Sequence, residues 1–315
     1  MRKICVTHLF SSKRVQTFSW ILEEEVNRMI RVISSLSSKS KIANLSELAM
    51  ILTKSIICRI GFCKNYSDDE QSTRRFQSLL HETEAMLAGF FFSDYFPFMW
   101  WVDKINGASS KLETNIFVAG TNTFVATIVW AMTELMLNPN AMRKVQEEVR
   151  NLIKEQQSST TFIQEQQLQH LMYLKAVIKK HLDYTLQVQF WHLGKQCKNA
   201  PSQAITKLNP ILDPENWENP ESFHPERFLG SSIDYKGQHF ELLPFGAGRR
   251  GYPGLMLGAT IVELALANLL CFFDWELPTP MKREDIDVEV LPGLAAYKKT
   301  ALCLVARNFT CLQQM

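Results

Sequence analysis

The chain has 315 residues, 46% of them apolar and 21% charged, which fits one large core or two average domains and argues against a disordered or fibrous protein. Its 34 basic and 32 acidic residues leave a net charge of +2, too even to point to nucleic acid or an anionic membrane as a partner. Seven cysteines without a C-x-x-C pair argue against a disulfide scaffold or zinc ribbon and suit a reducing compartment, and no run of about 18 uncharged apolar residues is present to span a bilayer.

Met1-Arg2-Lys3-Ile4-Cys5 lacks the apolar stretch of a signal peptide and reads as a start inside a domain. Ser19 to Ile33 carries Trp20, Ile21, Val26, Met29, Ile30 and Ile33 at helix spacing, with Glu23 to Glu25 early and Arg28 and Arg31 late, as the helix dipole favours. A serine-rich connector over 34–40 leads to a second apolar helix, Leu45 to Ile60, and a third, Asp68 to Leu87. The aromatic run from Gly89 to Trp101 is broken by Asp94 and Pro97 and is a lid, a membrane-facing surface or a core wedge. Phe117 to Leu137 is a long apolar helix interrupted by Ala119-Gly-Thr-Asn-Thr123 and stopped by Asn138-Pro139. Ala141 to Glu155 follows as a charged surface helix with an expected Glu147–Arg150 pair on its solvated face, then Gln167 to Lys180 as another helix.

From Tyr184 to Lys207 no period survives, only a scatter of Gln, Trp, His and Cys. Order returns at Asp213 with Pro-rich turns, a glycine loop at 246–254, an apolar helix from Leu255 to Phe273 and a late strand from Ala301 to Val305. No internal repeat is visible. Three Asn-x-Ser/Thr triplets, at Asn44, Asn65 and Asn308, read as chance, and no two histidines share a helix face at metal-ligand spacing.

Gly246-Ala-Gly248-Arg-Arg-Gly251 matches G-x-G-x-x-G, but a dinucleotide loop needs its helix to begin inside the glycines of a βαβ unit. Here Pro253 marks a helix start beyond them. The wider string, Phe245-Gly-Ala-Gly248-Arg-Arg250-Gly-Tyr252-Pro-Gly254, resembles the haem-binding loop of cytochromes P450, Phe-x-x-Gly-x-Arg-x-Cys-x-Gly. Phe223-His-Pro-Glu-Arg227-Phe228 resembles the family's Pro-Glu-Arg-Phe segment, and Ala119 to Thr123 its oxygen-activating helix kink. Trp130-Ala-Met-Thr-Glu-Leu and Tyr173-Leu-Lys-Ala-Val-Ile-Lys179 are similar to plant microsomal members acting on specialised metabolites.

The resemblance implies a haem whose iron is held by a loop thiolate that favours O–O cleavage. It places Phe245, Gly248 and Gly254 in the loop, Arg250 and Arg2 on the haem propionates, and Thr123 with its neighbour at 122 in the distal proton relay. It also implies a small apolar substrate, NADPH–P450 reductase as electron donor, no nucleic acid, and an endoplasmic-reticulum address on the cytosolic face. The chain shows no transmembrane anchor of the family's kind, so a cytoplasmic or peripheral location is expected.

The departures fall on the chemistry. Tyr252 stands where the family's Cys ligand does; a phenolate can bind haem iron, as in catalase, but the phenol is longer and its ordinary pKa near 10 disfavours the anion unless Arg249 or Arg250 supplies a cation. Asn122 replaces the relay acid, and an amide cannot take up and release a proton. The family's Glu-x-x-Arg pair is replaced by Lys180 and Asp183. Reading plausible codons from Lys179 onward one base earlier yields Glu-Thr-Leu-Arg-Leu-His-Pro-Pro, the family's pattern, so residues 181–212 read as an out-of-frame segment. Arg227 then loses its usual buried partners, leaving Glu226 or Asp183 as substitutes, a loss on the order of 3–5 kcal/mol for a fully buried charge. Between Lys111 and Phe117 about two helices of the family's chain are skipped, which should leave Ile128 and Met132 partly uncovered.

The expected fold is mainly α with small β elements, an incomplete cytochrome P450 fold in one partial domain. Residues 1–114 form a helical part with the aromatic lid, 115–180 the distal and following helices, 181–212 the suspect segment, and 213–315 the haem-loop region with its helix and strands. The expected function is a haem-dependent monooxygenase by descent, catalytically impaired or inactive, the product of a degenerate gene. The alternatives are a haem-free remnant, an interaction partner of an intact relative, or a Tyr-ligated haem protein.

Overall fold

The computed structural model describes residues 11–62, 115–155, 162–182, 222–239, 242–248, 251–252, 254–291 and 297–309. The expected helix Asp68 to Leu87, the aromatic run 89–101, Arg2, Arg250 and the 183–212 stretch lie outside them. The described helices are α1 (Ser12–Thr17), α2 (Ser19–Ser38), α3 (Leu45–Phe62), α4 (Asn115–Leu137), α5 (Pro139–Glu155), α6 (172–182) and α7 (Leu255–Phe272). Short strands β1 (Ala43–Asn44), β2 (Phe273–Glu276) and β5 (Cys303–Asn308) form an antiparallel sheet with β5 in the middle, and β3 (Val290–Leu291) pairs with β4 (Tyr297–Lys298). Mainly α with small β elements is what the chain forms.

The helix α7 is apolar on every face and so has to be enclosed on every side. It is: Leu257, Ile261, Leu264, Leu266, Leu269 and Leu270 are all buried, against α2, α4 and α5. By length and composition alone α7 is apolar enough to cross a membrane, even with Glu263 inside it, but here it is the core helix. In α5 only one stripe is apolar, and Ala141, Val145 and Val149 bury it at i, i+4, i+8. Pro139 opens α5, where its missing N–H costs nothing. The side chain of Asn44 accepts from the Glu47 N–H at 3.2 Å and so caps α3, a local structural use for the first Asn-x-Ser triplet.

Four expectations are corrected. Arg150 does not pair with Glu147: it reaches Asp274 at 2.8 Å and the Phe273 carbonyl at 3.1 Å, and its guanidinium lies 3.6 Å over the Phe309 ring, while Glu147 pairs with Arg143. Ile128 and Met132 are fully buried, because this half of α4 lies along α3 and α7 rather than beneath the skipped helices. The helix expected over 167–180 is two pieces, a 3-10 turn at Glu165–His170 and then α6, parted at Leu171. The interruption expected at 119–123 is one of composition only, since the helix runs through it unbroken.

Acidic residues early in α2 do more than suit the dipole. Glu24 and Glu25 hold Arg59 of α3 at 2.6 and 2.5 Å, and the same guanidinium lies 5.1 Å over Trp20. Glu25 is buried, so this charge needs its partner there. Glu23 accepts from the Glu165 N–H at 3.2 Å, which ties α2 to the 3-10 turn.

Candidate functional site

The glycine loop is folded by its own backbone. Gly246 and Gly248 both take positive φ, +67° and +59°, values that a residue with a Cβ seldom adopts. These turns let the Tyr252 N–H reach the Phe245 carbonyl at 2.7 Å and the Gly251 N–H the Gly248 carbonyl at 3.2 Å. Gly254 is the N-cap residue of α7, and the Gly258 N–H closes onto its carbonyl at 2.9 Å. The loop therefore delivers residue 252 to the start of the core helix.

That residue is an aromatic packing ring. Tyr252 stacks on Phe245 with 6.2 Å between centroids and 25° between planes, and meets Phe124 of α4 edge-on at 6.4 Å. Its ring and hydroxyl fold back over Gly254, where an added Cβ would lie 3.0 Å from both. Burial pushes its phenol up to about 12, with no cation among the described residues to oppose the shift. Arg249 and Arg250, the cations expected to help, lie outside the described residues. At neutral pH the ring is an uncharged phenol.

A second chain of contacts supports the loop from behind. Tyr235 meets Phe245 edge-on at 5.9 Å and its hydroxyl donates to Glu263 of α7 at 3.2 Å. Burial raises the Glu263 carboxyl, and Lys175 pulls it back down; burial and then the Glu263 charge raise the Tyr235 phenol. An added Cβ on Gly237 would lie 2.9 Å from the Gly246 carbonyl, so this segment is pressed directly onto the loop.

Of the expected site residues, the structure brings together Phe245, Gly248, Tyr252 and Gly254. Thr123 sits half-buried on α4, one residue before Phe124, and its carbonyl accepts from Thr127 at 2.8 Å. Asn122 is in the same helix, but its side chain lies outside the described residues, as do Arg2 and Arg250 altogether. Phe124, Gly258, Tyr235 and Glu263 are the residues that sequence reasoning missed. A glycine inside an otherwise apolar helix, costing roughly 1 kcal/mol against alanine, was the one available signal for Gly258.

At the paired-charge position Lys180 is almost fully buried, and its charge acts on Glu134 of α4, whose carboxyl burial raises and Lys180 lowers. His181 beside it is fully buried and driven down to about 3, first by burial and then by Lys180. Arg227 is only half-buried and donates to the Ser222 carbonyl at 3.3 Å. Glu226, the substitute partner expected for it, instead accepts from Lys144 at 2.6 Å and from the Tyr173 hydroxyl at 2.9 Å. The large penalty expected for a deeply buried Arg227 therefore does not apply in full. Asp183 lies outside the described residues.

Comparison with known proteins places this arrangement. The chain is 36% identical to cytochrome P450 71A9 of Glycine max over 379 positions, covering 98% of this chain and 74% of that protein. It is 34% identical to strychnine-11-hydroxylase of Strychnos nux-vomica, with 100% and 74% covered, and 35% identical to 5-OH-xanthotoxin synthase of Pastinaca sativa, with 99% and 74% covered. The Cytochrome P450 family model matches residues 110–182 and 208–304, a span that holds α4, α6, the glycine loop and α7. The chain belongs to the cytochrome P450 family.

Proposed function

We propose that this chain is a plant-type cytochrome P450 in which thiolate-haem monooxygenation is lost or severely impaired. Membership of the family implies haem, an electron-donating partner and a small-molecule substrate. The residues present do not fit the thiolate-bound form of that group. One observation carries the reading: the ligand position holds an uncharged phenol, packed between Phe245 and Phe124, with its proton held to about pH 12. Without a thiolate the electron push that favours O–O cleavage in this family is missing.

Two further features support it. The family match stops at 182 and resumes at 208, and the gap falls in the stretch read from its assumed codons as out of frame. The alignment with the Glycine max relative runs over 379 positions against 315 residues here, so that relative carries internal residues with no counterpart in this chain. Both are what a shifted frame and a skipped segment produce. Specificity for a substrate would sit in those stretches.

The test is the spectrum of the reduced protein with carbon monoxide after haem reconstitution. The expected result is no thiolate-type Soret band, and a band of that type with oxygen-dependent turnover would overturn the proposal. Tyr252→Cys alone is expected to leave the protein without monooxygenase activity, and full recovery would show that the altered 181–212 stretch is harmless. A catalase-like band would favour the second reading, a Tyr-ligated haem protein, against which the high phenol pKa stands.

A further inference from the structure

Resting on the reading of Tyr252 as a non-ligand, we propose that Phe124, Tyr252 and Phe245 form a latch that fastens the glycine loop to α4, so that this part of the core is completed by side chains and folds without a porphyrin. Three aromatic rings from two distant parts of the chain meet in sequence, Phe124 edge-on to Tyr252 and Tyr252 stacked on Phe245. Both are geometries that aromatic pairs prefer. The partners facing the rings are the smallest available. Tyr252 lies over Gly254, and Phe124 lies so close over Gly258 that an added Cβ would fall inside its ring.

These contacts join the elements in a fixed order. Phe124 belongs to α4, Gly258 to the second turn of α7, and Tyr252 to the loop that leads into α7. Phe124 is 2% exposed, so its ring is enclosed in the core. The stack continues to Tyr235, which hangs from Glu263. The loop is thus gripped from both sides, by α4 through Phe124 and by α7 through Tyr235. Nothing in this grip uses the Tyr252 hydroxyl, so the ring rather than the oxygen is the working part.

The test uses the full chain purified without haem, its unfolding midpoint, and hemin titration followed at the Soret band. Tyr252→Phe is expected to unfold where the parent does, and Tyr252→Ala earlier. Gly258→Ala is expected to lower the midpoint by forcing a methyl into the Phe124 ring, and Phe124→Ala to lower it by leaving a void. The double variant is expected to lose less than the two single losses together, since the new methyl then enters the space that the ring vacated. Hemin is expected to give the parent neither a saturable Soret band nor a higher midpoint. Strictly additive losses, or a Tyr252→Ala protein as stable as the parent, would overturn the latch while leaving the non-ligand reading in place. A saturable band in the parent that disappears in Tyr252→Phe would make the oxygen an iron ligand and overturn both.

Discussion

The apolar core around α4 and α7 and the glycine loop that abuts it answer to different constraints. In these two core helices, Ile128 and Met132 of α4 and Leu264 and Leu266 of α7 are fully buried, and α4 and α7 pack against each other as an apolar pair. At the loop, Gly246 and Gly248 make the backbone turns, but on the proposed reading the position of the iron ligand holds the phenol of Tyr252. A core tolerates exchange among apolar side chains of similar volume, whereas a metal ligand tolerates only donors of suitable charge and reach. Fold and function can therefore part company within a few residues.

The sharpest way to probe that contrast is to damage the core helix. Leu264→Ala is expected to cost about 2–5 kcal/mol in denaturant unfolding, because α7 has neighbours on all sides and the void cannot collapse. A loss well under 1 kcal/mol would show that the core is no better ordered than the loop. Acid should act next. His181 is neutral in the fold, with its pKa lowered from 6.5 to about 3, so its contribution is fully present above about 6.5 and is lost as pH falls towards 3. Within that window stability should fall steadily as pH drops, because the unfolded chain takes up a proton that the fold refuses, and His181→Gln should flatten that part of the profile.

The smallest of these effects lies at the loop and at the alkaline end. The Tyr252 phenol is raised from 10.0 to about 12, so stability is intact below about 10 and falls as pH climbs through 12. Tyr252→Phe should remove that loss while leaving the neutral-pH midpoint alone. An alkaline profile identical in both proteins would place the ring in water and separate the loop from the core.

How far the sequence could be read depended on the distance over which each feature is decided. The helices α3, α5 and α7 were legible because their apolar spacing is local, whereas α2 runs on to Ser38 through most of the expected serine-rich connector and α5 opens at Pro139, which was read only as the stop of α4. The glycine turns were legible because only glycine adopts those backbone angles cheaply. Arg150 was misread because its nearest carboxylate along the helix is Glu147, while the fold offers Asp274 and the end of α7. The burial of Ile128 and Met132 was misread for a similar reason, since α3 and α7 cover them from remote parts of the chain. Tyr252 was legible as a phenol where the resemblance expects a Cys, but its role as a packing ring depends on Phe124, which no local pattern links to it.

The strand β5 sits between β1 and β2, so residues 43–44 are paired with residues 303–304. The Leu45 N–H also donates to the Leu302 carbonyl at 2.8 Å, and the Leu302 N–H to the Ser46 hydroxyl at 3.0 Å. Synthesis delivers the strand that completes this sheet long after it delivers β1. Until that strand has left the ribosome, β1 and the start of α3 have no partner for these backbone groups, so the sheet stays open while the intervening chain is made. A stop codon anywhere before about residue 302 would leave the opening helices waiting for a strand that never arrives.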